Sequence, residues 1–151
     1  MHRRMLLVFA AVLLLACKAE ATGGAPGDGG DDAKYYTMAV EPVAVAAGAA
    51  GALKVVITAQ AGLHWNEEFP ARFAVEGAET PLVRFGKTEV KKGDPEIQVS
   101  EKKDVVSVSL PLTAKAAGDG HVAAKLSFSL CTDKTCHIFR NRDVKAAVSV
   151  K

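Results

Sequence analysis

From Tyr35 onward apolar and polar residues alternate with a period of two, and the helical period of 3.6 is scarcely present. Leu53, Val55 and Ile57 alternate with Lys54, Val56 and Thr58. Val106, Val108, Leu110 and Leu112 alternate with Val105, Ser107, Ser109 and Thr113. Pro111 in that run predicts an edge position or a strand end, because it brings no N–H to a ladder. Val122, Ala124, Leu126, Phe128 and Leu130 form the strongest apolar row, and Val144, Ala146, Val148 and Val150 form the last. Weaker strands are expected over 38–45, 72–75, 81–85 and 96–99. Turn signals fall between them at Gly48 to Gly51, Gly77, Gly86, Gly93-Asp94-Pro95 and Gly118-Asp119-Gly120. Lys87 to Lys92 and Glu101 to Asp104 read as solvated turns, and Ala44 to Ala52 is too short and glycine-broken to form a helix.

Seven or eight short strands in about 115 residues, each with one apolar face, predict an all-β domain. The fold expected is an immunoglobulin-like antiparallel β-sandwich over residues 34–151, with a cysteine pair on its last hairpin. The sequence contains no internal repeat, phosphate-binding loop, Gly-x-Ser-x-Gly or His-Glu-x-x-His motif.

The first sixteen residues follow another pattern. A basic start (His2, Arg3, Arg4) precedes an apolar run from Met5 to Leu15 and a small residue, Ala16, as in a signal peptide. The run is shorter than the roughly 20 residues a membrane-crossing helix needs. Leu14-Leu15-Ala16-Cys17 matches a bacterial lipobox, in which Cys17 receives the lipid before cleavage. The alternative is an ordinary secretory signal cut near Ala16 or Ala21. Residues 17–33 are Gly-, Ala- and Asp-rich with little apolar bulk, and predict a flexible tether. Lys18 in place of an aspartate after the lipidated cysteine leans towards the outer membrane of a bacterial envelope, facing the periplasm.

Charge changes the picture once the leader is set aside. The whole chain has 19 Lys and Arg against 17 Asp and Glu, and the leader takes Arg3 and Arg4 with it. The remainder is formally neutral, with no basic patch to hold nucleic acid. Membrane association is expected through the lipid alone.

Cys131 and Cys136 enclose Thr132-Asp133-Lys134-Thr135 after the strongest strand and a few residues before the final one. A hairpin there brings the two Cβ atoms into bonding range, and an exported protein meets oxidising conditions. One reading is a structural clip, which in a loop this small adds about 2 to 3 kcal/mol. The other is a redox centre, since a short exposed bridge exchanges readily. Lys134, His137, Arg140 and Arg142 are cations that favour a thiolate, while Asp133 opposes it.

Three segments resemble the N-terminal domain of the thiol:disulfide interchange protein DsbD and its stand-alone relatives. They are Gly62-Leu63-His64-Trp65-Asn66-Glu67-Glu68-Phe69-Pro70, Leu126-Ser127-Phe128-Ser129-Leu130, and Cys131-Thr132-Asp133-Lys134-Thr135-Cys136. The resemblance implies an exported immunoglobulin-like domain in which Cys131 and Cys136 are the exchanging pair. It implies electron transfer between a membrane-embedded donor and thioredoxin-like periplasmic proteins, without a cofactor or metal. His64, Trp65 and Phe69 would then cap the cysteines or line a pocket beside them. The family often carries prolines soon after the second cysteine, where this chain has His137-Ile138-Phe139-Arg140.

Other chemistry competes for the same residues. Cys131-x4-Cys136-His137 is a spaced-out relative of the c-type haem attachment motif, with Met38, His64 or His121 as an axial ligand. A cupredoxin-type copper site would draw on His64, Cys131 and His137, leaving Cys136 unexplained. A non-catalytic lipoprotein that binds a protein partner needs the pair only as a clip. Trp65 also reads as a core residue beside a turn, Phe69, Phe73 and Phe85 as core or cap, and His121 as an exposed strand start. Glu67 and Glu68, adjacent on an extended segment, point to opposite faces and read as solvated.

Overall fold

The computed structural model describes residues 31–151; the leader, Cys17 and most of the tether lie outside the described residues. Eleven strands follow a single 3₁₀ turn at Asp32–Lys34. They are β1 (Tyr36–Val40), β2 (Val43–Val45), β3 (Ala50–Ala59), β4 (His64–Trp65), β5 (Arg72–Val75), β6 (Val83–Phe85), β7 (Glu89–Lys91), β8 (Ile97–Val99), β9 (Val105–Ala114), β10 (Gly118–Cys131) and β11 (Cys136–Val150). No α-helix occurs among the described residues.

The strands form two sheets. One runs β1-β3-β9-β6, with β8 also against β9; the other runs β2-β11-β10-β5-β7, with β4 also against β10. Their inner faces meet in one core, in which Leu53, Val55, Phe73, Val83, Val90, Val108, Leu110 and Phe128 are fully buried. The molecule is an immunoglobulin-like β-sandwich with a cysteine pair on its last hairpin. Ladders are antiparallel except that β2 runs parallel to β11. This exception arises because the expected single strand over 38–45 breaks at Glu41-Pro42: β1 stays in the first sheet and β2 crosses to the second.

Three expectations from the pattern need correction. Pro111 lies inside β9, a central strand, rather than at an edge or an end. The N–H groups of Ser109 and Lys115 reach Glu96 and Leu82 on the β8 and β6 side, and alternation points the Pro111 nitrogen to that same side. There β8 covers Val106 to Val108 and β6 covers Leu112 to Ala114, so Pro111 falls in the gap between them, where no N–H is required. Gly118-Asp119-Gly120 is not a turn but the start of β10, paired with Val150, Ser149 and Val148. A Cβ at Gly118 or Gly120 would lie 3.0 or 2.8 Å from a Leu82 methyl, so any larger residue there requires Leu82 to shift, and Gly118 also holds a positive φ of 149°. The segment 87–92 contains β7, whose Val90 is fully buried against β5.

The folded part also begins before Lys34. Asp32 pairs with Arg142 (Nε to Oδ2 2.8 Å), accepts a hydrogen bond from the Tyr36 hydroxyl (3.2 Å), and the Gln60 side chain donates to the Ala33 carbonyl (3.1 Å).

Candidate functional site: the disulfide at the hairpin tip

β10 and β11 form the longest ribbon of the molecule, and Cys131↔Cys136 is its last register pair. The two cysteines are joined by a disulfide, with their Cα atoms 4.0 Å apart. The last strand therefore begins at Cys136 itself, not a few residues after it. The connecting loop is tied by Thr132: its N–H donates to the Thr135 carbonyl (2.8 Å), and its hydroxyl oxygen accepts the N–H groups of Lys134 (3.2 Å) and Thr135 (3.0 Å). Small polar residues suit such a side-chain-closed turn.

A β-bulge decides which residues share a face near the tip. The register steps from Leu126↔Arg142 to Phe128↔Phe139, so Arg140 and Asn141 together oppose Ser127. Asn141 takes the left-handed conformation (φ 51°) and donates its N–H to the Ser127 hydroxyl at 2.9 Å. Phe139 and Val144 are five residues apart, which on a regular strand puts them on opposite faces. The bulge brings both to the inner face and sets Cys136 on the outer face with Cys131.

Beneath the disulfide the inner face is aromatic. Phe128 packs against Trp65 (ring centroids 5.5 Å, nearly parallel), Tyr36 (5.0 Å, edge-on) and Phe139 (5.0 Å). Tyr36 also meets Phe139 edge-on at 4.9 Å, and Tyr35 lies 4.3 Å from His137. Offset and edge-on contacts of this kind add to the burial each ring brings. Burial, then the Asp32 charge and its hydrogen bond, push the Tyr36 hydroxyl up to about 12.

β4 lies along the tip portion of β10, with Leu130 opposite Trp65 and Cys131 opposite His64. It enters from a turn in which Gly62 has φ 82°, a conformation that favours glycine. The Trp65 backbone N–H donates to the Lys103 carbonyl (2.6 Å), the Asn66 backbone N–H to the Ser129 carbonyl (2.9 Å), and the Asn66 side chain accepts the Glu68 N–H (3.0 Å).

The residues singled out in the sequence thus part company. Trp65 is a core residue on the inner face, 4% exposed. His64 is half-buried on the outer face, the immediate cross-strand neighbour of Cys131. Phe69 is buried in the β4–β5 connection, with the Arg140 guanidinium 5.8 Å from its ring centroid. The two cysteines differ too: Cys131 is 6% exposed, whereas Cys136 is an exposed residue.

Of the expected thiolate-favouring cations, only Lys134 stays in the loop itself, next to Asp133. His137 faces inward against Tyr35, Arg140 lies over Phe69, and Arg142 is held by Asp32 over Phe139. His137 therefore does not join His64 and Cys131 on one face, and the copper triad is not assembled. His121 lies ten residues back along β10, about 33 Å at the usual strand rise, out of reach of a haem attached at the tip. Glu67 pairs with Lys103 and Glu68 with Lys92 (3.6 Å), both at the surface as expected of solvated carboxylates. Among the described residues no group of three His, Cys, Asp or Glu side chains could hold a metal ion as they stand, and no helix is long and apolar enough to cross a membrane.

Sequence reasoning missed two features of the tip. Ser129, on the outer face, is 1% exposed, and its hydroxyl has no hydrogen-bond partner. Ile138, also on the outer face and two residues from Cys136, is 50% exposed. The odd spacing of Phe139 and Val144 was the signal available for the bulge that produces this arrangement.

No protein-family model matches the chain, and no curated protein does. Among solved structures it is similar to the ASH / PapD-like domain of human CEP192 (PapD-like domain 7), at 8% identity over 96% of each chain with a TM-score of 0.26.

Proposed function

We propose that this protein is a lipid-anchored thiol–disulfide exchange domain of the bacterial envelope, passing electrons between a membrane donor and thioredoxin-like proteins through Cys131 and Cys136. The observation that carries the reading is the asymmetry of the pair: Cys136 is exposed at the end of a projecting ribbon and Cys131 is buried beside it. A partner thiolate reaches the Cys136 sulfur, forms a mixed disulfide there and expels the Cys131 sulfur as thiolate, which takes up a proton. The partner's second thiol then attacks the mixed bond, leaving the partner oxidised and Cys131 and Cys136 reduced. Run backwards, the same steps pass two electrons onward. The aromatic packing under the tip holds the two sulfurs in register throughout. Export and a lipid on Cys17 complete the reading, and both rest on residues outside the described part.

The test is the reduction potential, measured by equilibration with glutathione or thioredoxin and thiol trapping. A relay pair belongs at roughly −270 to −180 mV, and a value below about −300 mV would overturn the proposal. In that case the bridge is a clip in a protein-binding lipoprotein, a reading favoured by the diversion of His137, Arg140 and Arg142 to other partners. A full chain with Cys131→Ser, which keeps the exposed thiol, is expected to trap a mixed disulfide with a thioredoxin-fold protein; Cys136→Ser is not.

A further inference from the structure

We propose that the reduced hairpin is a binding site for a soft monovalent cation, Cu(I), held by His64, Cys131 and Cys136. The register carries the inference. Cys131 is the direct neighbour of Cys136 on one side and of His64 on the other, so the three form one row across β4, β10 and β11. Direct cross-strand neighbours stand on the same face with Cβ atoms about 4.5–5.5 Å apart. Side chains from the two flanking strands can therefore converge with Cys131 on a point above β10. Two thiolates and one imidazole match the ligand preference of Cu(I), which three donors satisfy, whereas Zn²⁺ on the same set would need a water as its fourth ligand.

In the structure the two sulfurs are bonded to each other and no three-donor group stands among the described residues, so the proposed site belongs to the reduced pair alone. A second observation points to the same place. Ser129 lies two residues before Cys131 on that face, is almost wholly buried, and its hydroxyl has no partner. A disulfide sulfur accepts hydrogen bonds poorly, whereas a Cys131 thiolate bound to a metal is an acceptor for that hydroxyl. Such outer groups orient and tune metal ligands. His137, turned to the inner face beside Tyr35, takes no part.

The chemistry balances. A reductant supplies two electrons and the solvent two protons, giving two thiols; binding Cu(I) then releases both protons. With a phosphine as reductant, the phosphine leaves as its oxide with an oxygen from water. This site goes beyond the relay and does not require it, since a chemical reductant suffices.

The experiment uses the full chain carrying Cys17→Ser, so that Cys131 and Cys136 are the only thiols, reduced with excess phosphine and titrated with Cu(I) against a chromophoric Cu(I) chelator. The reduced protein is expected to take a single Cu(I), with X-ray absorption showing both sulfur and imidazole nitrogen around it, and the oxidised protein none. His64→Gln should weaken binding about tenfold or more, and Ser129→Ala by a smaller factor, while His137→Gln leaves it unchanged. Circular dichroism of each variant establishes that it is folded. The proposal is overturned if His64→Gln binds as tightly as the parent, if the absorption spectrum shows sulfur alone, if the oxidised protein binds equally, or if the folded protein resists reduction. The relay reading fails on potential and partner trapping instead, so the two failures are distinct.

Discussion

At its base the β10–β11 ribbon runs unbroken from Gly118↔Val150 to Leu126↔Arg142, with one apolar face and one polar face. At its tip the register jumps, both faces of β10 are buried from Phe128 to Cys131, and the inner face is filled by rings rather than by valines and alanines. The base is an ordinary half of a sandwich. The tip is assembled from four separate stretches of chain, with Tyr35 and Tyr36, His64 and Trp65, and both arms of the hairpin meeting there. A disulfide placed at the base would merely join two strands already zipped together. At the tip it sits on a platform of rings drawn from all of these stretches.

The sharpest way to break this contrast is to remove the centre of the platform. Phe128→Ala is expected to cost about 3–5 kcal/mol in denaturant unfolding, against about 1–3 kcal/mol for Val148→Ala at the base. Equal costs would mean that the tip is no more tightly packed than the rest. Next comes alkaline pH. The Tyr36 hydroxyl ionises near 12 in the folded protein and near 10 in an unfolded chain, so the folded state favours the neutral form. The stabilisation is complete below pH 10 and is lost as pH rises from 10 to 12, on the order of 2 kcal/mol. Tyr36→Phe should flatten that part of the stability–pH curve, and an unchanged slope would assign the effect elsewhere.

Opening the disulfide by Cys131→Ser with Cys136→Ser should lower stability by about 2 kcal/mol, as expected for closing so short a loop. The tip packing should survive, read from the near-ultraviolet dichroism of Trp65. Loss of that signal would make the bridge the cause of the platform rather than its passenger. The smallest effect belongs to the bulge. Asn141→Val forces a β-branched residue into a left-handed conformation and should cost about 1–2 kcal/mol at most, without altering Val144 to Val150.

The same contrast governs what could be read from the chain. Val122 to Leu130 and Val144 to Val150 alternate without error, so the sheet, its inward face and the terminal hairpin were legible in the residues themselves. The loop between Cys131 and Cys136 followed from its position between two strands. Less legible were features set by contact between distant stretches. Gly118 and Gly120 look like a turn because composition cannot show that Leu82 lies across them. Pro111 looks like an edge because composition cannot show a gap between β6 and β8. In the candidate site, His64 and Trp65 stand next to each other in sequence, yet strand alternation sends one to the sulfurs and the other to the core. Which was which depended on β4 pairing with β10, a fact no single segment contains.

The short strand β2 has a consequence for how the domain comes into being. Val43 to Val45 finds its partner in Val148 to Val150, more than a hundred residues later, and lies parallel to it. Pairing of this kind brings its reward only after a long stretch of chain has lost its freedom, and such topologies collapse slowly. The β2 edge of the sandwich cannot close until residue 150 is free to pair, so the last residues of the domain complete a sheet begun near its first.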